Sequence, residues 1–130
     1  MENCVFCQIA AGQLPSQTVY QDKLIQAFLD IRPVQPGHLL VITKAHYPQL
    51  QDVPDEQLGS IFAKVKWLRQ RLQQALTADY VIVSIVGVDV PHFHVQLIPR
   101  RQGDGLSGWP TRNYQPGETE AVAKQIKAAL

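Results

Sequence analysis

The stretch "VPHFHVQLIPR", residues 90–100, places His92, His94 and Gln96 at alternate positions, with Phe93, Val95 and Leu97 between and after them. In a β-strand successive side chains point to opposite faces, so this spacing predicts two imidazoles and an amide on one face and apolar residues on the other. Such a row suits phosphate chemistry, in which a neutral imidazole attacks phosphorus while neighbouring donors hold the non-bridging oxygens. It suits metal binding equally well, and the pattern alone does not separate the two uses. A single strand histidine is most often structural, but two at i and i+2 with a glutamine at i+4 are harder to assign to packing.

A second group opens the chain. Cys4 and Cys7 are the only cysteines and lie in a Cys-x-x-Cys arrangement. In a reducing compartment such a pair binds metal or does redox chemistry more often than it forms a structural disulfide. A thioredoxin-like redox role needs the pair between a strand and a helix, whereas here no strand is read before it. Zinc takes about four nitrogen or sulfur ligands. The chain has four histidines, His38, His46, His92 and His94, from which to draw the other two. The alternative is a pair of small buried thiols.

The elements that must position these groups are read from bulk properties and patterning. With 130 residues, 45% hydrophobic, and no long polar tract, the chain is expected to form a single domain over 1–130 with a real core. Twelve basic against eleven acidic residues give a net charge of +1, no argument for nucleic-acid or membrane-surface binding, so an anionic ligand must be held locally. No apolar run approaches the ~20 residues of a membrane span, and "MENCVFCQIA" lacks the pattern of a secretory signal, so the expected compartment is the cytoplasm.

"TVYQDKLIQAFLD" reads as two strands broken by the polar "QDK", a hairpin. "GHLLVIT" reads as a third strand, buried on both faces because its apolar run is nearly continuous. Leu58, Ile61, Phe62, Val65, Leu68, Leu72 and Leu76 recur at helical spacing and predict a helix over Asp55–Leu76, with Asp52 or Asp55 as candidate caps. "YVIVSIV" and "PHFHVQLIP" are two further strands separated by the turn-like "GVD". "RRQGDGLSGWP" reads as a loop, and a short amphipathic helix is expected over 118–130. The fold class is therefore α+β, a single antiparallel sheet of about five strands with a long central helix and a C-terminal helix.

"PHFHVQLIPR" resembles the signature of the histidine triad (HIT) superfamily, His-x-His-x-His followed by apolar residues. "CVFCQIAAGQLPSQTVYQDKLIQAFLDIRPVQPGHLLVITKAH" resembles the amino-terminal half of the family's small bacterial members, including "AFLDI", "PGH" and "KAH". The likeness runs in order over 4–100. It implies the HIT-like fold and a hydrolase or nucleotidyltransferase acting at the α-phosphate of a purine nucleotide or nucleotide conjugate. His94 matches the family's nucleophile, which forms a nucleotidyl-histidine intermediate, and His38 supports it from behind. Asp30 matches the residue that binds the ribose hydroxyls, a role that suits a carboxylate, with Phe28 and Ile31 near the base. Gly87 and Asp89 fall in the nucleotide-binding segment before the triad. Cys4, Cys7, His46 and His92 match the ligands of a structural zinc. The family's small members are usually homodimers.

The chain also departs from the pattern. The third triad position is Gln96, which can donate a hydrogen bond to a phosphate oxygen but cannot act as an acid. His-x-His-x-Gln is similar to the superfamily's transferase branches, such as galactose phosphate uridylyltransferase and the diadenosine polyphosphate phosphorylases, whose chains are much longer. "GVDVPH" has Val88 and Asp89 where many members have glutamine and serine or threonine, and a carboxylate there repels a phosphate unless protonated or turned away. Three outcomes stay open: a hydrolase, a transferase or phosphorylase using an acceptor other than water, and a weakly catalytic nucleotide-binding module.

Overall fold

The computed structural model describes residues 3–106 and 110–130. Five strands form one antiparallel sheet: β1 (Thr18–Gln21), β2 (Ile25–Leu29), β3 (Leu39–Thr43), β4 (Tyr80–Ser84) and β5 (His94–Arg100), in the spatial order β1-β2-β3-β5-β4. Three helices accompany it: α1 (Val5–Ala10), α2 (Asp55–Leu76) and α3 (Glu118–Lys127). The α+β architecture is the one the patterning predicts. The β1–β2 hairpin turns at Asp22, whose carboxylate accepts from the Leu24 and Ile25 amides at 2.8 and 3.0 Å, a local device open to a short polar side chain.

Both faces of the central strands are covered, so β2 and β3 are buried along their whole length. On one face Ala27, Leu29, Leu39, Val41, Val95 and Leu97 pack with Ile61, Val65, Leu68 and Leu72 of α2 and Val122, Ala123 and Ile126 of α3. Phe28, Leu40 and Ile42 point to the other face and pack with Phe6 of α1. Strict alternation along each strand thus separates a main core from a second, smaller one. Among the described residues no helix is long and apolar enough to cross a membrane.

Three details differ from the sequence expectations. The residue capping α2 is Pro54, which makes no side-chain cap bond, while the Asp52 carboxylate accepts from the Gln49 amide at 3.0 Å in the preceding 3₁₀ turn. Asp55 is already inside the helix, where with Glu56 it complements the positive end of the helix dipole. The strand read from "YVIVSIV" ends at Ser84, opposite Gln96; Ile85 and Val86 leave the ladder although β5 continues to His94, and they stand with 41% and 54% of their surfaces exposed. The expected loop after Pro99 lies partly outside the described residues, and β5 itself runs on to Arg100.

Candidate active site

The strand carrying the unusual row begins at His94, not at His92. Pro91 has no amide hydrogen to give a ladder. The His92 amide turns back to Val90 O at 2.8 Å, and the Phe93 amide donates to Tyr47 O at 2.6 Å. His92 therefore sits in the turn leading into the strand. Its ring still reaches the same side of the sheet as His94, since Phe6 stands edge-on to both, with ring centroids 5.8 and 5.0 Å away. Within β5, His94 lies opposite Ile42 and Gln96 opposite Leu40, so the two polar groups share the face that Leu40, Ile42 and Phe28 line.

The hydrogen bonds around them set each proton. His94 Nδ1 lies 2.7 Å from the carbonyl of His92, which can only accept, so Nδ1 carries the hydrogen and Nε2 keeps its lone pair. His38 is set the opposite way. The Val34 amide donates to its Nδ1 at 3.1 Å, which leaves the hydrogen on Nε2, and this donates to Gln96 Oε1 at 2.9 Å. With Oε1 occupied, the Gln96 amide has its NH₂ left to offer as a donor. His38 is 2% exposed, and burial pushes its pKa below the ordinary histidine value against the opposing pull of Asp30 and Gln96. The Asp30 carboxylate stands 3.7 Å from His38 Nε2 and accepts from the Arg32 amide at 2.9 Å.

His38 owes its place to Gly37. The glycine has φ +93°, a backbone conformation that strains any L side chain, and a Cβ there would lie 2.2 Å from Leu76 Cδ1, so another residue would have to displace that leucine at the end of α2. This is the physical content of the "PGH" segment.

Phe28, Asp30, Ile31, His38, Asp89, His94 and Gln96 all line one cavity of about 700 Å³. That is within the usual range for a small-molecule site. Ile31 stands on its rim with 80% of its surface exposed. Asp89 is exposed and makes no ion pair among the described residues. Gly87 lies elsewhere, with Ile85, Val86 and Phe93 in a second cavity of about 240 Å³ that His94 also borders. A third cavity of about 290 Å³ holds Arg100 and Arg101. Both are engaged, Arg100 with Asp104 at 2.6 Å and Arg101 with the Leu76 and Thr77 carbonyls that end α2.

Cys4, Cys7, His46 and His92 converge, their donor atoms all within 4.8 Å of one another. Cys4 Sγ is 3.3 Å and Cys7 Sγ 3.5 Å from His92 Nδ1, Cys7 Sγ is 3.1 Å from His46 Nδ1, and the two Nδ1 atoms are 3.3 Å apart. A tetrahedral zinc, with about 2.3 Å to sulfur and about 2.0–2.1 Å to nitrogen, separates sulfur from nitrogen by about 3.6 Å and nitrogen from nitrogen by about 3.4 Å. The donor set fits that ion. His92 Nε2 lies 2.6 Å from Thr43 O, so its hydrogen is there and Nδ1 faces the cluster as a ligand must. Burial pushes the His92 pKa down, favouring the neutral ring, and pushes the Cys7 thiol up, a shift that a bound cation would reverse.

The site includes a residue that the sequence reading passed over. Phe6, in α1, lines the larger cavity together with Val5 and Ile9. The signal was present in "CVFCQIA": Phe6, Ile9 and Ala10 recur at helical spacing, and Cys4 caps the helix by accepting the Cys7 amide at 3.4 Å.

The HIT domain family model matches residues 11–103. The adenosine 5′-monophosphoramidase HNT1 of Saccharomyces cerevisiae is 35% identical over 134 residues, covering 98% of this chain and 82% of the yeast protein. The crystal structure of a Hit-like protein from Bartonella henselae superimposes with a TM-score of 0.91 at 32% identity, covering 100% of this chain and 98% of that one. A zinc-bound histidine triad family protein from Mycobacterium smegmatis does so with a TM-score of 0.85 at 33% identity, covering 98% and 93%.

Proposed function

The chain belongs to the HIT domain family, and from that premise we propose that it is a nucleotide hydrolase acting at the α-phosphate of a purine nucleotide conjugate, with His94 as nucleophile. The observation that carries the reading is the tautomer of His94: Nδ1 is committed to the His92 carbonyl, so a neutral ring presents its Nε2 lone pair at the cavity that Asp30 and Phe28 also line. The monophosphoramidase activity named for the yeast relative agrees with a phosphoramidate as substrate.

In this mechanism the nucleoside lies between Phe28 and Ile31, and Asp30 accepts hydrogen bonds from the ribose hydroxyls. His94 Nε2 attacks the α-phosphorus, a nitrogen–phosphorus bond forms, and the bond to the leaving group breaks with its electron pair. The Gln96 NH₂ donates to a non-bridging oxygen as charge grows there. Because an amide supplies no proton, the departing group draws its proton from solvent. Water then attacks the phosphorus of the nucleotidyl-histidine, releasing the nucleoside monophosphate and restoring His94. His38 is a positioning residue that keeps the Gln96 amide turned with its donor outward.

The same fixed amide favours a second reading, transfer to an acceptor other than water, since Gln96 stands as a donor where an imidazole could act as an acid. Cys4, Cys7, His46 and His92 are the residues that would hold zinc, which when bound supplies a structural cross-link and leaves no coordination position open for water. The exposed Tyr80 and Val83 of the edge strand β4, with Ile85 and Val86 just beyond it, suit a second copy of the chain, a homodimer.

Hydrolysis of an adenosine phosphoramidate tests the reading. Wild type is expected to release AMP, and His94→Ala to lose turnover while still binding AMP. A His94→Ala protein as active as wild type rejects the mechanism. Binding without turnover by the wild type leaves a binding module, and phosphate-dependent products mark a phosphorylase.

A further inference from the structure

Phe6 has no part in the mechanism above, yet it touches three of its components. Its ring stands edge-on to His94 at 5.0 Å and 76°, to His92 at 5.8 Å and 83°, and to Phe28 at 5.9 Å and 68°. Only 6% of its surface is exposed. It therefore borders the proposed nucleophile, a proposed metal ligand and the proposed base-binding ring at once.

The place of Phe6 is set by α1, a helix of six residues. Isolated helices that short are unstable in water. Phe6, Ile9 and Ala10 pack α1 on Phe28, Leu40 and Ile42, and two polar contacts flank Phe6: Cys4 meets His92 at 3.3 Å and Cys7 meets His46 at 3.1 Å. Without a metal these are weak thiol hydrogen bonds. Joined through a common ion, the same atoms become a rigid anchor. Val5 and Ile9 of the same helix also line the nucleotide cavity, so whatever fixes α1 fixes one wall of that cavity.

Resting on the nucleotide reading, we propose that Phe6 is a positioning residue that couples the four-donor centre to the nucleotide cavity. Cys4 and Cys7, when they ligate zinc, immobilise α1; Phe6 then holds the His94 and Phe28 rings in the arrangement that receives a nucleotide. Coupling between two binding sites is reciprocal, so zinc tightens nucleotide binding and nucleotide tightens zinc binding by the same factor.

Titration calorimetry of AMP binding, on wild type and Phe6→Leu, each zinc-loaded and chelator-stripped, tests this. Stripping zinc is expected to weaken AMP about tenfold in wild type, within the ordinary range of two-site coupling, and by less than about twofold in Phe6→Leu. A chelating-dye competition with and without AMP should return the same factor for zinc in wild type. Equal AMP affinity in loaded and stripped wild type overturns the coupling, as does a Phe6→Leu protein that loses as much as wild type. Where Phe6→Leu folds poorly, Phe6→Met takes its place in the same measurements, and a Phe6→Met protein that loses as much as wild type overturns the role of Phe6. If zinc-loaded wild type binds no AMP, the nucleotide reading fails and takes this inference with it, a result distinct from binding that is indifferent to zinc.

Discussion

His38 Nε2 donates to Gln96 Oε1 across 2.9 Å, so the amide standing at the third triad position is held by a buried neutral histidine behind it. The bond leaves Gln96 one chemical face for a substrate, its NH₂. Substitutions at position 96 should therefore divide by what they present forward. Gln96→Glu keeps the acceptor for His38 but offers the phosphate a negative oxygen, and we expect kcat on an adenosine phosphoramidate to fall by about 10²–10³, the loss of one oxyanion donor. Gln96→His can accept from His38 at one nitrogen and donate from the other, and we expect faster hydrolysis, by less than the ~10²–10⁴ typical of general acid catalysis. Steady-state rates check both. A slower Gln96→His protein would mean that the site is organised around glutamine, in favour of the transferase reading.

The neutral state of His38 has a consequence for stability. Burial lowers its folded pKa below the unfolded value, so the unfolded chain takes up the proton first as pH falls. The stability that His38 contributes is complete above about pH 6.5 and declines as pH drops from there toward its lowered folded value, by at most ~1.4 kcal/mol per pH unit. Urea denaturation at successive pH values from neutral downward should show a slope that His38→Gln lacks in part. Identical pH profiles for the two proteins would contradict the assignment.

For the cluster of two thiols and two imidazoles we expect about one zinc per chain in protein purified without chelator. Cys7→Ser should lose the metal and melt on the order of 10 °C lower, given the size of structural-zinc contributions and the few degrees of melting temperature per kcal/mol. Elemental analysis with thermal melts checks this. Zinc-free protein with freely titrating thiols would leave His92 as a packing residue bonded to Thr43.

Asp89 lines the cavity without an ion pair among the described residues. A carboxylate near a phosphate site repels it through solvent, an effect that salt screens. Asp89→Asn should bind AMP about two- to fivefold more tightly at low ionic strength, with the gain shrinking in high salt. Weaker binding by the variant would mean that Asp89 contacts the ligand favourably.

Gly37→Ala joins left-handed backbone strain of ~1–2 kcal/mol to an overlap with Leu76 that costs ~1–3 kcal/mol. We expect a destabilisation of about 2–5 kcal/mol together with impaired turnover, because His38 is the next residue. Denaturation midpoints and kcat measured together would show it, and a stable, fully active variant would mean that the loop relaxes freely.

Local regularities were legible in the sequence because they depend on neighbours along the chain. The spacing of Leu58 to Leu76 bounds a helix over Asp55–Leu76, which is where α2 lies, and the apolar runs of β2 and β3 announce strands covered on both faces. Other features depend on groups far apart in sequence, and only the tertiary structure decides them. The row read as His92, His94 and Gln96 on one strand is split, because Tyr47 O takes the Phe93 amide and turns His92 away from the ladder toward two cysteines more than eighty residues distant. Spacing left open which two histidines join Cys4 and Cys7; packing α1 against the sheet brings His46 and His92 to them, and the same packing sets Phe6 on His94. The sequence determined that position 96 carries an amide and not an acid. Which end of that amide meets a substrate follows from the Val34 amide, which fixes the His38 tautomer and through it the direction of Gln96.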